Sequence, residues 1–146
     1  MQGARAPHAR LLAKWLDFPP TLRGVPVTVT LTRETDREIW QRDFGGHRFR
    51  TTQSHDVPRS LVIERFGPLA VQPAITTEDD GATLRNVAVG WSAFGLPMPR
   101  KFRPGGDITE SLDAKGRFIF DVHVTAPLYG RLAHYHGWLV AGQALR

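Results

Sequence analysis

The sequence predicts an all-β fold with a short N-terminal helix, in which an antiparallel up-and-down meander forms a β-barrel or a strongly curved sheet. Three observations support this prediction. Apolar and polar residues alternate with a period of two in most segments after Gly24. Turn residues separate these segments about every 8–12 residues. No strand–helix–strand alternation occurs, which disfavours a parallel sheet. The chain has 146 residues, which is enough for one domain. We therefore expect residues 1–146 to form a single β-barrel-like domain.

Residues 7–17 are predicted to form the helix. Pro7 suits the first helical turn, and two consecutive prolines after Phe18 end the helix. Four apolar side chains fall on one face at helical spacing: Leu11, Leu12, Trp15 and Leu16. A helix of this length is not stable alone. We therefore expect this face to dock on the sheet.

Turn residues delimit about nine predicted strands. In the first, Val25, Val27, Val29 and Leu31 share one face, with threonines on the other. Gly45 and Gly46 separate two strand-like segments and predict a tight hairpin. The predicted strands cover residues 25–33, 37–44, 47–54, 59–66, 69–76, 82–94, 107–112, 117–126 and 131–140.

Composition excludes several classes of protein. The chain has no cysteine, which excludes disulfide and thiolate chemistry. No apolar stretch reaches the roughly 18 residues of a membrane span, and the N-terminus does not have the pattern of a secretory signal. We therefore expect a cytoplasmic chain. The net charge is +5, but the basic residues are scattered, which does not favour a nucleic-acid partner.

The segment RFIFDVHVTAPLYGRLAHYHGWL, residues 117–139, predicts a hairpin with a polar cluster on one face. Its two apolar faces lie together if residue 124 pairs with 133 and residue 122 with 135. On the reverse face, His123 is then opposite His134, and Asp121 is opposite His136. Direct cross-strand neighbours have Cβ atoms about 5 Å apart, so four potential metal ligands or proton carriers are brought together.

This cluster allows three interpretations. Two or three imidazoles with a carboxylate can hold a transition metal such as zinc or iron. A histidine oriented by an aspartate can act as a general base. The same residues can also be solvated on an outer face, which is the interpretation we favour. No HExxH motif and no nucleophile elbow are present, and no catalytic residue can be assigned.

A second group of polar residues lies within strand patterns. Arg42 alternates with Trp40 and Phe44 and therefore faces the same way. A charge on a buried face needs a partner, which predicts an internal ion pair of Arg42 with Glu64 or Glu110. In a barrel, such a mixed face can line a cavity for a small ligand.

Several stretches in order resemble one family. They are PVTVT at 26–30, ERFGPL at 64–69, GLPMP at 95–99, GRFIFDVHV at 116–124 and APLYGRLAHYHGWL at 126–139, together with Trp40, Arg42 and the FGG at 44–46. This order is similar to that of the domain of unknown function 4166. The resemblance implies no established activity or catalytic residue. That family often forms the C-terminal domain of saccharopine-dehydrogenase-like NAD(P)-binding proteins. Arginine is usual there around the tyrosine where this chain has His134 and His136, so the resemblance disfavours a metal site.

We therefore favour a non-enzymatic module that holds a small, partly apolar ligand in the barrel mouth, or an accessory domain of a separate NAD(P)-binding oxidoreductase. The predicted ligand-binding residues are Arg42, Glu64, Tyr135 and Trp138, and no cofactor is expected. The alternative is a metal-binding or acid/base enzyme site at Asp121, His123, His134 and His136. An anion or nucleic-acid binder is the weakest hypothesis.

Overall fold

The computed structural model describes residues 2–3 and 6–142. Within these residues, nine strands of six to eleven residues and two strands of two residues form one sheet, and one α-helix lies between the first and second strands in sequence. Three single 3-10 turns cover Val57–Arg59, Asp79–Gly81 and Arg100–Phe102. The helix and strands are β1 (Gln2–Gly3), α1 (Pro7–Trp15), β2 (Val27–Arg33), β3 (Arg37–Phe44), β4 (His47–Asp56), β5 (Leu61–Phe66), β6 (Leu69–Glu78), β7 (Thr83–Ala93), β8 (Leu96–Pro97), β9 (Gly105–Leu112), β10 (Phe118–Ala126) and β11 (Gly130–Leu139).

The strands form an antiparallel meander in a nearly closed, barrel-shaped sheet. Their spatial order is β1-β11-β10-β9-β7-β6-β5-β4-β3-β2, and β8 pairs with β7 off this path. The predicted all-β class and meander are confirmed. All nine predicted strands are present, with ends that differ by two residues or fewer from the prediction. No helix of the described residues is both long enough and apolar enough to cross a bilayer.

Glycine and proline shape the sheet at two places. Gly45 and Gly46 connect β3 to β4 with φ angles of 63° and 105°, a left-handed pair that suits a two-residue hairpin. Asp43 accepts a hydrogen bond from the Gly46 amide at 2.6 Å. In β6 the register against β7 shifts between Gln72 and Pro73, which is where a proline can lie inside a strand.

Helix α1 packs over one end of the barrel. Its buried residues Ala9 and Ala13 belong to a core cluster with Leu16, Phe18, Phe44, Phe49, Leu132 and Ala133. The four cluster residues that belong to strands are Phe44, Phe49, Leu132 and Ala133. They lie beside the β3–β4 and β10–β11 turns, so the helix covers the end of the barrel where these turns are. Phe18 stacks on Phe49 with ring centres 5.0 Å apart. The aromatic and apolar burial here is the main source of stability.

The buried face of the helix differs from the predicted one. Leu11 is 72% exposed and Trp15 is 58% exposed, whereas the small residues Ala9 and Ala13 are buried. Alanine allows the helix backbone to lie close to the barrel end, which brings Leu16 into the core. The helix also ends at Trp15, two residues before the predicted boundary, because Asp17 takes a left-handed conformation that turns Phe18 inward.

The barrel remains open along one seam, between β2 and β11. Eight successive antiparallel pairings lead from β2 to β11, so these two strands run in the same direction. Strand β1 is antiparallel to β11 and pairs only with its residues 133 and 134. Beyond that short pairing, the seam separates β2 from the last residues of β11.

Candidate functional site

The inward-facing side chains of the barrel line a cavity of about 70 Å³, called here the lumen cavity. Apolar residues of β2, β3, β9, β10 and β11 form most of its wall, among them Val29, Ile108 and Phe118. Arg42, Glu110 and Tyr135 also line it. Alternation along the strands directs these side chains inward, as the pattern of Trp40, Arg42 and Phe44 predicts.

Arg42 has polar and aromatic neighbours inside the barrel. Its Nη1 donates a hydrogen bond to Oγ1 of the buried Thr51 at 3.1 Å. Its guanidinium carbon is 5.6 Å from the centre of the Trp40 ring, within cation–π distance. The predicted ion pair is not formed, because no carboxylate of the described residues lies within ion-pairing distance of Arg42. The positive charge instead acts on Glu110 over a longer distance.

Burial changes the ionisation of two lumen residues. Burial raises the pKa of Glu110 above its ordinary value; Arg42 opposes this effect and the Glu64 carboxylate adds to it. Burial also raises the pKa of the Tyr135 hydroxyl, with Arg42 again opposing and Glu64 and Glu110 adding to the shift. These four residues therefore form one electrostatically connected group, and Glu110 holds a proton more readily than an exposed glutamate.

A larger groove of about 700 Å³ follows the open seam and is called here the seam groove. One side is formed by residues 22–27, at and before the start of β2, and the other by residues 135–140 of β11 and its continuation. Phe44 crosses beneath the seam to meet Tyr135 edge-on, with ring centres 5.5 Å apart. The groove and the lumen cavity share wall residues, including Val27, Phe120 and Tyr135. The seam groove and the lumen cavity are therefore neighbours.

Gly137 sets the shape of the shared wall. It pairs with Phe120 across β10 and β11. A Cβ atom at this position would lie 3.1 Å from Cζ of Phe120, so the ring lies directly over the glycine. The absence of a side chain thus allows Phe120 to cover the inner face of β11 and to contact Tyr135, with ring centres 6.1 Å apart.

The predicted register of the last hairpin is confirmed. Asp121 is opposite His136, and His123 is opposite His134. The side chains differ from simple direct pairs, because Asp121 Oδ1 lies 2.9 Å from Nε2 of His134, its diagonal neighbour, and 3.4 Å from Nε2 of His123. The His123 and His134 rings stack with centres 3.8 Å apart. His136 is exposed, with its ring centre 5.5 Å from that of His134.

Asp121, His123 and His134, called here the outer cluster, lie on the outer face of the barrel. Their inward-facing strand neighbours Val122 and Tyr135 line the lumen cavity. The two groups that the sequence singled out are thus separated by the thickness of the sheet. Trp138 is on the outer side as well, at the margin of the seam groove, and the Arg117 guanidinium lies 4.8 Å from its ring centre.

Comparison with known protein families gives one match. The model of the family described as Domain of unknown function (DUF4166) matches residues 1–139. The chain belongs to this family. No curated protein and no solved structure matches the chain. Membership of the DUF4166 family therefore supports the resemblance that the sequence motifs indicate, and it assigns no activity, ligand or partner.

Within this DUF4166 domain, sequence reasoning missed two residues of the shared wall. The alternation of apolar residues along β10 and β11 does not distinguish Phe120 or Gly137 from the other inward-facing residues. A signal was present, because a glycine within a strand opposite an aromatic residue often marks a close approach. The seam groove itself could not be predicted, since it depends on how far the sheet curls.

Proposed function

We propose that the domain is a non-enzymatic binding module that holds a small amphipathic ligand. The apolar body of the ligand would lie in the seam groove, and its polar head would reach the lumen cavity. The observation that carries this proposal is the wall that the two cavities share at Phe120 and Tyr135. The position is the side of the barrel, whereas the sequence suggested its mouth.

The sizes of the two cavities favour this division of the ligand. Pockets for small molecules usually measure about 300–1,000 Å³, a range that includes the seam groove. The lumen cavity of about 70 Å³ has room for only a small group, since one water molecule occupies about 30 Å³ in the liquid. A head of two or three heavy atoms is therefore the largest group that we expect inside.

The polar residues favour an uncharged head with an oxygen acceptor. Arg42 and the Tyr135 hydroxyl can donate hydrogen bonds at the lumen cavity. The indole Nε1 of Trp40 is buried and has no acceptor among the described residues, which is costly unless a ligand or water accepts its hydrogen. A carboxylate head would be attracted by Arg42 but repelled by the Glu64 carboxylate, and the burial that raises the pKa of Glu110 would also oppose its ionisation. A carbonyl or hydroxyl head avoids these costs.

The proposed ligand-binding residues thus divide by role. Arg42 and Tyr135 would contact the head, and Glu64 would set the electrostatic potential around it through its effect on Glu110 and Tyr135. Trp138, at the margin of the seam groove, would contact the body.

A displacement experiment tests the proposal. The neutral fluorescent probe N-phenyl-1-naphthylamine is bound to the purified protein and displaced by decanol, decanoate or decylamine, which differ only in the head. We expect decanol to displace the probe best. Tyr135→Phe removes one hydrogen bond worth about 0.5–1.5 kcal/mol, so decanol affinity should fall roughly two- to twelvefold while probe affinity is kept.

Two further variants control this experiment. Val140→Arg puts a charge at the groove margin, where Val140 is 64% exposed, and should weaken binding of the probe without loss of folding. Leu128→Ala removes an equally apolar side chain from the β10–β11 turn, where it is 86% exposed, and should change nothing. No saturable probe binding, or equal effects of the two variants, would contradict the proposal.

An accessory role beside a separate NAD(P)-binding oxidoreductase stays a prediction that depends on the family resemblance alone. A co-purification partner with a dinucleotide-binding fold would support it. Ligand binding in the seam groove does not require such a partner, so the two hypotheses can be tested independently.

A further inference from the structure

The outer cluster plays no part in the proposed ligand site, yet it brings three metal-ligating side chains together. One ligand atom from each of Asp121, His123 and His134 lies within 4.8 Å of the other two. No other group of three such side chains meets this distance criterion among the residues that the structure describes. Both histidine Nε2 atoms converge on the same carboxylate oxygen of Asp121, at 2.9 and 3.4 Å.

These separations are close to those of a tetrahedral metal centre. Zinc binds histidine nitrogen and carboxylate oxygen at about 2.0–2.2 Å, which places neighbouring ligand atoms roughly 3.4 Å apart. The His134–Asp121 pair must widen by about half an ångström to reach this value, and the His123–Asp121 distance of 3.4 Å already has it. The His123 and His134 rings are stacked with centres 3.8 Å apart, so the two side chains must also rotate until both Nε2 atoms point at one ion.

The sheet holds the three ligands in place. Asp121 and His123 are two residues apart on β10, and His134 is the direct partner of His123 on β11. Both strands are paired on their other sides as well, β10 with β9 and β11 with β1 at residue 134. Asp107 of β9 is opposite His123, but its carboxylate lies 3.7 Å from Nε of Arg85, so it is not counted among the ligands.

The ligand types and their exposure determine which ion fits. Two imidazoles and one carboxylate suit Zn²⁺ and its neighbours Co²⁺ and Ni²⁺, whereas Mg²⁺ and Ca²⁺ prefer oxygen ligands. The side chain of His134 is 16% exposed, and those of Asp121 and His123 are 47% and 45% exposed. An ion can therefore enter from solvent, and water would complete its coordination.

We propose that Asp121, His123 and His134 form a binding site for a zinc-class divalent cation, with three protein ligands and at least one position for water. The bound ion replaces the hydrogen bond between His134 and Asp121 and the longer contact of His123 with the same carboxylate. His136, opposite Asp121 but directed to solvent, is not a ligand. The site is on the opposite face of the sheet from the lumen cavity and shares no residue with the seam groove, so it does not depend on the proposed ligand-binding function.

Titration with Zn²⁺ alone tests the site. The full chain, stripped with chelator, is titrated by calorimetry, and Co²⁺ is added in parallel to observe its visible absorption. We expect one equivalent of Zn²⁺ to bind, Co²⁺ to give d–d bands, and Mg²⁺ and Ca²⁺ to give no response. The variants Asp121→Asn and His134→Ala should each lower Zn²⁺ affinity by at least tenfold.

Matched variants distinguish a built site from adventitious binding to surface histidines. His136→Ala removes the neighbouring imidazole and His55→Ala removes a distant exposed one; both should keep the affinity within twofold. Melting curves in EDTA show whether each variant folds, and Asp121→Asn preserves the shape of the side chain. Equal losses from His136→Ala and His134→Ala, or a wild-type response to Zn²⁺ no larger than that of Asp121→Asn, would overturn the proposal.

Discussion

The two faces of the β10–β11 hairpin carry polar groups in opposite environments. On the inner face, Tyr135 belongs to a group of charged residues that influence one another without direct ion pairs. On the outer face, Asp121 makes short contacts to His123 and His134. Because side chains alternate along a strand, Tyr135 directly follows His134 in sequence although the two belong to different sites.

This difference shows that a curved sheet gives the polar residues of one hairpin two different environments. On the outer face, solvent stabilises charged side chains, and side chains on neighbouring strands can approach one another closely. Inside, the apolar wall raises the cost of ionisation, and the raised pKa of Glu110 reflects that cost. The two proposals follow this difference: a neutral ligand head for the inner group and a cation for the outer cluster.

The largest expected effect comes from a core residue that supports the inner face only. Phe44 is 3% exposed, packs in the core cluster and contacts Tyr135 edge-on. Phe44→Ala should lower the free energy of unfolding by about 3–5 kcal/mol. Where the variant still folds, it should lose probe binding in the seam groove and keep Zn²⁺ affinity at the outer cluster. Chemical denaturation and the two titrations measure these outcomes.

The matched deletion is Phe94→Ala. Phe94 is 73% exposed, so its loss should change the free energy of unfolding by less than about 0.5 kcal/mol. If the Phe44→Ala and Phe94→Ala variants have the same free energy of unfolding, Phe44 does not stabilise the core beneath the inner face.

A smaller effect compares neighbours on one strand. Gly137→Val adds a side chain whose Cβ would lie 3.1 Å from the Phe120 ring, so overpacking should cost about 1–3 kcal/mol. His136→Val adds the same side chain on the exposed face and should stay within about 0.5 kcal/mol of wild type. Thermal melts of the two variants provide the comparison, and a reversed order would show that the faces are assigned wrongly.

Much of the fold could be predicted because period-two patterns are local. The alternation of β2 and the Gly45–Gly46 turn each predicted an element that is present. The helix was different: its apolar stripe includes Leu11 and Trp15, yet Ala9 and Ala13 are the buried residues. Close packing over the barrel end favours small side chains, and helical periodicity alone does not contain that tertiary requirement.

The site was predictable only in part, for a similar reason. Cross-strand register follows from matching apolar faces, so the meeting of His123 with His134 could be derived. Distances between strands that are far apart in the sheet could not be derived from the sequence. The sequence therefore placed Arg42 on an inner face correctly but predicted a direct ion pair with Glu64 or Glu110, where the structure has a hydrogen bond to Thr51.

The smallest expected effect concerns the pH dependence of stability. The folded-state pKa of Glu110 is raised above its ordinary value of 4.5, so the folded chain holds more protons than the unfolded chain just above pH 4.5. The free energy of unfolding should therefore fall as pH rises through this window and then level off. Glu110→Gln should remove that fall, as measured by urea denaturation at a series of pH values.

Asp113 in the β9–β10 turn provides a control of opposite sign. Hydrogen bonds from the Arg117 backbone, then from its side chain and from the Lys115 amide, hold the pKa of Asp113 below its ordinary value of 3.8. Its stabilisation is therefore present above pH 3.8 and is lost as pH falls through the lowered pKa. Asp113→Asn should change only the acid limb, and Glu110→Gln only the limb above pH 4.5. A Glu110→Gln profile that matches wild type on that limb would mean that the lumen does not desolvate this carboxyl, and the case for a neutral ligand head would weaken with it.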